Sequence, residues 1–227
     1  TSNKVIENYF KNFKELYADR ITSNPVKFPG FRDAIEQALE NGVTPCGVVT
    51  GLATFTGEEN SENGSAKKQK TKKQKANYRV GLVVSNVEFQ AGAFDMASCE
   101  KVCRLLDDCA RLKLPVIFFI SSAGMQTKEG VGSLFSMSII NERITRFVKD
   151  LDLPVLCFGF RDCTGGAQAS FVTHLLARTY YFSGSQIPFA GQLVVESHLP
   201  VHSTLSNYLS TNPGTMDGLV KNPFDTD

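Results

Sequence analysis

From residue 79 the chain alternates between short apolar runs and longer stretches with helical periodicity. Residues 80–88 read as a strand, and 96–112 as a helix whose Met96, Cys99, Val102, Cys103, Leu106 and Cys109 share one stripe. A second strand over Pro115-Val116-Ile117-Phe118-Phe119-Ile120 leads to a helix over 130–150. A third, over 154–160, leads to a helix over 166–177. Tyr180-Tyr181-Phe182 and Ile187-Pro188-Phe189-Ala190 supply more strand. Repeated strand–helix units predict an α/β fold of parallel strands with right-handed crossovers.

The first part of the chain reads differently. Residues 4–20 carry apolar positions at Ile6, Tyr9, Phe10, Phe13, Leu16 and Tyr17, the spacing of a helix. Pro25 and Pro29-Gly30 interrupt the chain, and 31–41 forms a second short helix closed by Asn41-Gly42. Residues 1–45 are therefore expected to be an N-terminal helical segment. Cys46 to Phe55 alternates like a strand, and Tyr78 to Phe89 is its partner. Between them, 58–77 is polar throughout, with lysines at 67, 68, 70, 72, 73 and 75, and its composition predicts a disordered hairpin insertion.

Charge and composition narrow the class. With 42% hydrophobic residues, 21% charged residues and a formal charge of +1, the 227 residues suit an ordinary globular protein with a substantial core. The insertion alone makes the chain net positive: without its six lysines and its Glu58, Glu59 and Glu62 the formal charge is −2. The lysine run reads first as a solvated loop. It has no interleaved aromatics to stack bases, so nucleic acid is not expected as a partner, though an anionic surface would attract it.

No apolar run approaches the ~20 residues of a membrane span, and no leader opens the chain, which begins at Thr1. A start at Thr rather than Met points to processing or to a piece of something longer. The six cysteines form no Cys-x-x-Cys, and His174, His198 and His202 are not near them in sequence. Reduced structural thiols in a reducing compartment are expected, with no metal site.

All three strand–helix junctions carry glycine: Gly92, Gly124 and Gly165-Gly166. The ligand side is therefore expected at the carboxyl edge of the strands. The richest junction is Asp162-Cys163-Thr164-Gly165-Gly166-Ala167-Gln168-Ala169-Ser170-Phe171, directly after the strand Val155 to Phe160. Paired glycines let a ligand approach the backbone, and free N–H groups at a helix start suit a transient anion.

Four ordered segments carry a resemblance: Ser121 to Gly130, Asp162 to Phe171, Phe189-Ala190-Gly191 and Gly214 to Val220. Together they resemble the carboxyltransferase half of biotin-dependent acyl-CoA carboxylases, and more narrowly the β subunit of bacterial and plastid acetyl-CoA carboxylase. The resemblance covers residues 25–220. It implies a crotonase (ClpP-like) fold of repeated ββα units in a right-handed spiral, here a domain over 46–220 with a tail at 221–227.

The resemblance also implies that Gly165 and Gly166 offer amides to an oxyanion, the ureido oxygen of biotin. Gly92, Ala123, Gly124, Met125, Thr164 and Ala167 would shape the acyl-CoA pocket, and Phe189, Ala190 and Gly191 would lie near the pantetheine tunnel. It implies carboxyl transfer from carboxybiotin to acetyl-CoA or a close acyl-CoA, giving malonyl-CoA. The partners would be a homologous α-type half that completes the site, a biotinyl carrier protein and a biotin carboxylase. The setting would be the cytoplasm or the plastid stroma.

The chain departs from the family in several places. The usual Gly-Gly-Ala-Arg reads Ala123-Gly124-Met125-Gln126, the usual Gly-Gly-Ser-Met-Gly reads Ala91-Gly92-Ala93-Phe94-Asp95, and the four-cysteine zinc ribbon is absent. Two alternatives therefore stay open: a biotin-independent malonyl-thioester decarboxylase subunit, and a non-catalytic CoA-binding or assembly subunit.

Other polar residues read as structural. No Gly-x-Ser-x-Gly elbow surrounds Ser122 or Ser170, so neither reads as a nucleophile. His174 reads as a packed or capping histidine, Glu129 as a first-turn helix carboxylate, and Cys163 as a small residue required by packing.

Overall fold

The computed structural model describes residues 2–60 and 73–187. Among the described residues, six strands form one sheet in sequential order: β1 Phe10–Leu16, β2 Val48–Asn60, β3 Lys73–Ser85, β4 Val116–Ser122, β5 Val155–Cys163 and β6 Arg178–Tyr181. Strands β1 to β3 pair antiparallel, and β3 to β6 pair parallel. The helices are α1 Ser2–Tyr9, α2 Phe31–Glu40, α3 Met96–Leu112, α4 Val131–Lys149 and α5 Gly165–Ala167. The strand–helix rhythm from residue 79 is thus present as expected.

Strand β4 is buried along its whole length. Val116, Phe118 and Ile120 join the core shared with Val102, Leu105 and Leu106 of α3 and Ile140, Ile144 and Phe147 of α4. The alternate residues Ile117 and Phe119 join Val80, Leu82 and Val84 of β3, with Ile6 and Phe10, in a second cluster. A continuous apolar run is the mark of a strand covered on both faces. Each such side chain contributes about 1.5–3 kcal/mol by burial.

The helical spacing of residues 4–20 does not carry through. The helix ends at Tyr9, and Phe10–Leu16 forms strand β1 along the free side of β2. The register slips between Lys11 and Lys14, where Asn12 takes φ 52°, a left-handed conformation that asparagine tolerates. Pairing with β2 and the edge-to-face packing of Phe10 on Phe119, with ring centroids 5.7 Å apart, outweigh a weak local helical preference. The N-terminal stretch is therefore part of the main sheet.

The β2–β3 ladder also runs further than expected. Glu58, Glu59 and Asn60 pair with Lys75, Gln74 and Lys73, so both ends of the polar 58–77 segment are strand, while 61–72 lies outside the described residues. Excising 61–72 and joining Asn60 to Lys73 through a two-residue turn should leave the melting temperature unchanged or raise it by a few degrees, because a shorter loop costs less to close, by ~0.6 kcal/mol per halving of its length. Thermal unfolding followed by circular dichroism checks this, and a fall above about 5 °C would contradict it.

The last helix is shorter than its spacing predicts. After Gly165–Ala167 the chain continues as one π-helical turn, Gln168–Val172. Thr173 Oγ1 then donates to the Gln168 carbonyl at 2.8 Å, and the chain turns toward β6. The wide turn leaves Phe171 and Val172 wholly buried. The strand expected at 187–190 is not formed at Ile187, and the rest of it lies outside the described residues.

Candidate active site

The glycine-bearing loops meet at the carboxyl edge of the parallel strands, laced together in a row. Ser121 N–H donates to Ser85 Oγ at 3.1 Å, and Ser121 Oγ donates to the Asp162 carbonyl at 3.1 Å, joining the ends of β3, β4 and β5. The loop after β3 bonds the loop after β4 through Ala123 N–H to Ala91 O (3.1 Å), Phe94 N–H to Gly124 O (2.8 Å) and Gln126 N–H to Phe94 O (2.7 Å). The loop after β5 joins next, through Thr164 N–H to Ser122 O at 2.9 Å, and Cys163 N–H then donates to Gln186 O at 2.8 Å. Ser122 Oγ closes its own turn on the N–H and carbonyl of Gly124, both at 3.1 Å. It is a structural hydroxyl.

At the centre of this lattice, Gly165 takes φ +60° and Gly124 takes φ +109°. A Cβ on Gly165 would lie 3.3 Å from Gly124 Cα and 3.5 Å from Ala123 O. The two loops therefore approach as bare backbone. Gly165 and Gly166 stand in the first turn of a helix, where N–H groups have no carbonyl one turn back to bond. Both are half-exposed, and Ala123 beside them is exposed.

The remaining expected site residues are placed more deeply. Gly92 is buried, and its N–H is already used by Phe89 O at 2.9 Å. A Cβ there would sit 2.4 Å from Ser121 O, so its glycine permits loop packing. Gly124, Met125 and Thr164 are buried, with Met125 against Gly166. Ala167 is wholly buried in the core and supports the turn from beneath. Phe189, Ala190, Gly191 and the Gly214–Val220 segment lie outside the described residues.

Beneath the loops sit two buried carboxylates that the glycine pattern did not flag. Asp95 caps α3, accepting from Ser98 N–H at 2.5 Å, and also accepts from Gly47 N–H at 2.9 Å and from the Cys46 thiol. Glu129 accepts from Met96 N–H at 2.6 Å and from the Thr22 hydroxyl. It serves the start of α3, not the helix that follows it in sequence. Burial raises both carboxyls above their ordinary range, partly offset by these donors. The Asp95-x-x-Ser98 spacing at the helix start was the available signal for the first; nothing local marked Glu129 for α3.

A raised folded-state value means that Glu129 contributes stability below the unfolded pKa of about 4.3, lost as pH rises through the folded value. Stability relative to Glu129→Gln should therefore decline as pH rises above about 4. Urea unfolding at stepped pH reads this directly. A pH-independent difference would refute it.

His174 is structural: its Nδ1 accepts from Leu176 N–H at 3.2 Å, Thr145 Oγ1 lies 3.0 Å from Nε2, and burial lowers its pKa. Burial pushes the Cys163 thiol up to about 12, as expected of a packing residue. Ser170 Oγ donates to the Gly166 carbonyl and so reinforces the glycine turn. Among the described residues, no group of three or more His, Cys, Asp or Glu side chains is placed to share a metal ion, and no helix is long and apolar enough to cross a membrane.

Solved structures share this fold. The transcarboxylase 12S core superposes with TM-score 0.70 at 18% identity, over 97% of this chain and 36% of that one. A single-chain, multi-domain long-chain acyl-CoA carboxylase gives 0.64 at 18% identity, over 97% and 19%. A Pseudomonas malonate decarboxylase hetero-tetramer gives 0.61 at 16% identity, over 92% and 66%. The fold is that of the crotonase-type carboxyltransferases.

No family model matches the chain. Against the acetyl-coenzyme A carboxylase carboxyl transferase subunit beta 1 of Lachnospira eligens, however, it is 30% identical over 190 residues, 82% of this chain and 64% of that one. The chain is homologous to the carboxyltransferase β subunit of acetyl-CoA carboxylase and spans just under two thirds of that relative's length.

Proposed function

We propose that this chain is the β-type half of a biotin-dependent carboxyltransferase that carboxylates acetyl-CoA, or a close acyl-CoA, to malonyl-CoA or its homologue. The observation that carries the reading is the half-exposed Gly165-Gly166 turn, set against Gly124 at the carboxyl edge of β4 and β5. Biotin, held on a separate carrier protein, would supply the carboxyl group and accept the α-proton of the acyl thioester.

This chain's residues then contribute in three ways. The N–H groups of Gly165 and Gly166 donate to the oxygen that gains charge as the carboxyl group departs. In a preorganised site such donors are worth about 3–4 kcal/mol each in the transition state. The absence of side chains at 124 and 165 leaves a cradle that a Cβ would fill. The hydroxyls of Ser85, Ser121 and Ser122 hold the loops so that the amides need no reorganisation when charge develops. No side-chain base is required of this half.

A second half is part of the reading. Val131, Leu134, Phe135 and Ile139 are 47–64% exposed along one face of α4, whose Met137 lies against Gly166. A contiguous apolar strip beside a site marks an interaction surface, and an α-type half fits it. Biotin carboxylase and the carrier protein complete the assembly. The decarboxylase alternative is favoured by the Pseudomonas malonate decarboxylase likeness and by Gln126 standing where the family's arginine motif ends.

The deciding experiment measures carboxyl transfer from carboxybiotin to acetyl-CoA by this chain, with and without a co-purified homologous half. Transfer that requires both supports the reading. Biotin-independent release of carbon dioxide from a malonyl thioester would replace it with the alternative, and full transfer by the isolated chain would remove the need for a second half.

A further inference from the structure

Five of the six cysteines are buried; Cys103 is only partly so. It lies on α3 one helical turn after Cys99, a spacing that sets Cβ atoms about 5–6 Å apart on one face. The two side chains hydrogen-bond to each other. Cys99 Sγ also faces the Ser136 carbonyl of α4 at 3.8 Å, so the pair occupies the seam between the helices. Across the seam, Arg143 of α4 reaches Asp107 of α3 at 2.8 Å.

The Cys103 thiol donates to Cys99, which lowers the Cys99 pKa and raises that of Cys103; Arg143 favours the thiolate of both, while burial opposes it, with Asp95 acting on Cys99 and Asp107 on Cys103. Two sulfurs are thus held side by side on one face of a rigid helix, with Cys103 partly exposed and Cys99 Sγ donating to the Ser136 carbonyl.

A direct disulfide fits this geometry poorly, since it needs Cβ atoms about 3.5–4.5 Å apart. A single atom inserted between the sulfurs suits it better. We propose that Cys99 and Cys103 form a dithiol site that captures thiophilic electrophiles of the trivalent arsenical class by bridging both sulfurs. With an organoarsenic(III) oxide, both S–H bonds break, two As–S bonds form and the oxide oxygen leaves as water. Arsenic stays trivalent, and no oxidant or reductant is needed.

The test uses the full chain and phenylarsine oxide. Intact-mass measurement should show one adduct per chain, with two fewer free thiols counted in denaturant and peptide mapping to α3. Excess 2,3-dimercaptopropanol should reverse it, while equal monothiol should not. Cys103→Ser and Cys99→Ser should each lose the adduct. Because Cys99 is buried, the Cys103 variant is decisive, with its fold checked by circular dichroism. No adduct on the parent, an adduct that persists in Cys103→Ser, or mapping to other cysteines would overturn the site.

Discussion

Gly165→Val should lower carboxyl transfer by about a hundred-fold or more, the loss that follows removal of one preorganised oxyanion donor. Gly165 sits at φ +60°, a region costly for any residue with a Cβ and most costly for a branched one. The new Cβ would also press on Gly124 Cα at 3.3 Å. The least costly relief is to rotate the backbone at 165, which turns both amides out of alignment. Gly166→Val reaches the same end by another route. Its Cβ would fall 2.7 Å from both Met125 Cγ and Met137 Sδ, and as these flexible side chains yield, the branched group covers the amides. Because the strain is confined to one loop edge, both variants should keep the parent far-ultraviolet spectrum. Steady-state transfer by the reconstituted complex is the check, and activity within a few-fold of the parent in both would rule out this turn as the oxyanion site.

Asp95→Ala should cost about 3 kcal/mol of folding stability. Loss of an N-cap costs about 1 kcal/mol, and Gly47 N–H is left buried without its acceptor at a further ~1–3 kcal/mol. For a chain of this size that corresponds to a fall in melting temperature of about 6–12 °C. Asp95→Asn should lie between parent and alanine, since one amide oxygen can serve only one of the two backbone donors. The stability loss should also reach activity. Phe94, the neighbouring residue, makes the two backbone bonds that hold Gly124 and Gln126. Thermal unfolding of both variants is the measurement, and a shift below about 2 °C for alanine would show that the buried network carries little stability.

How much of this was legible beforehand depends on the range of the interaction. The apolar runs at 115–120 and 155–160 identified parallel strands because both faces of β4 are covered and the second face of β5 is partly covered. The glycines at 92, 124 and 165–166 located the loops correctly at the carboxyl edge. What they could not reveal is what each glycine meets: Gly92 and Gly165 both take positive φ, but a carbonyl lies 2.4 Å from where a Cβ on Gly92 would be, whereas Gly165 meets the bare backbone of the neighbouring loop at 3.3–3.5 Å. Strand β1 escaped notice because its partner lies about forty residues on, and the spacing of Ile6, Tyr9, Phe10 and Phe13 satisfies a helix equally well. Glu129 was legible as a helix-start carboxylate, but its helix begins thirty-three residues earlier in the chain.

Strand β1 has a consequence of its own. It presents Lys11, Lys14 and Glu15 as exposed residues and carries a bulge at its middle. Without it, the thirteen-residue strand β2 would offer an open row of donors and acceptors that any extended peptide could join. A charged, kinked strand is a poor template for such pairing. Strand β1 thus closes the antiparallel end of the sheet with an edge that resists further strand pairing.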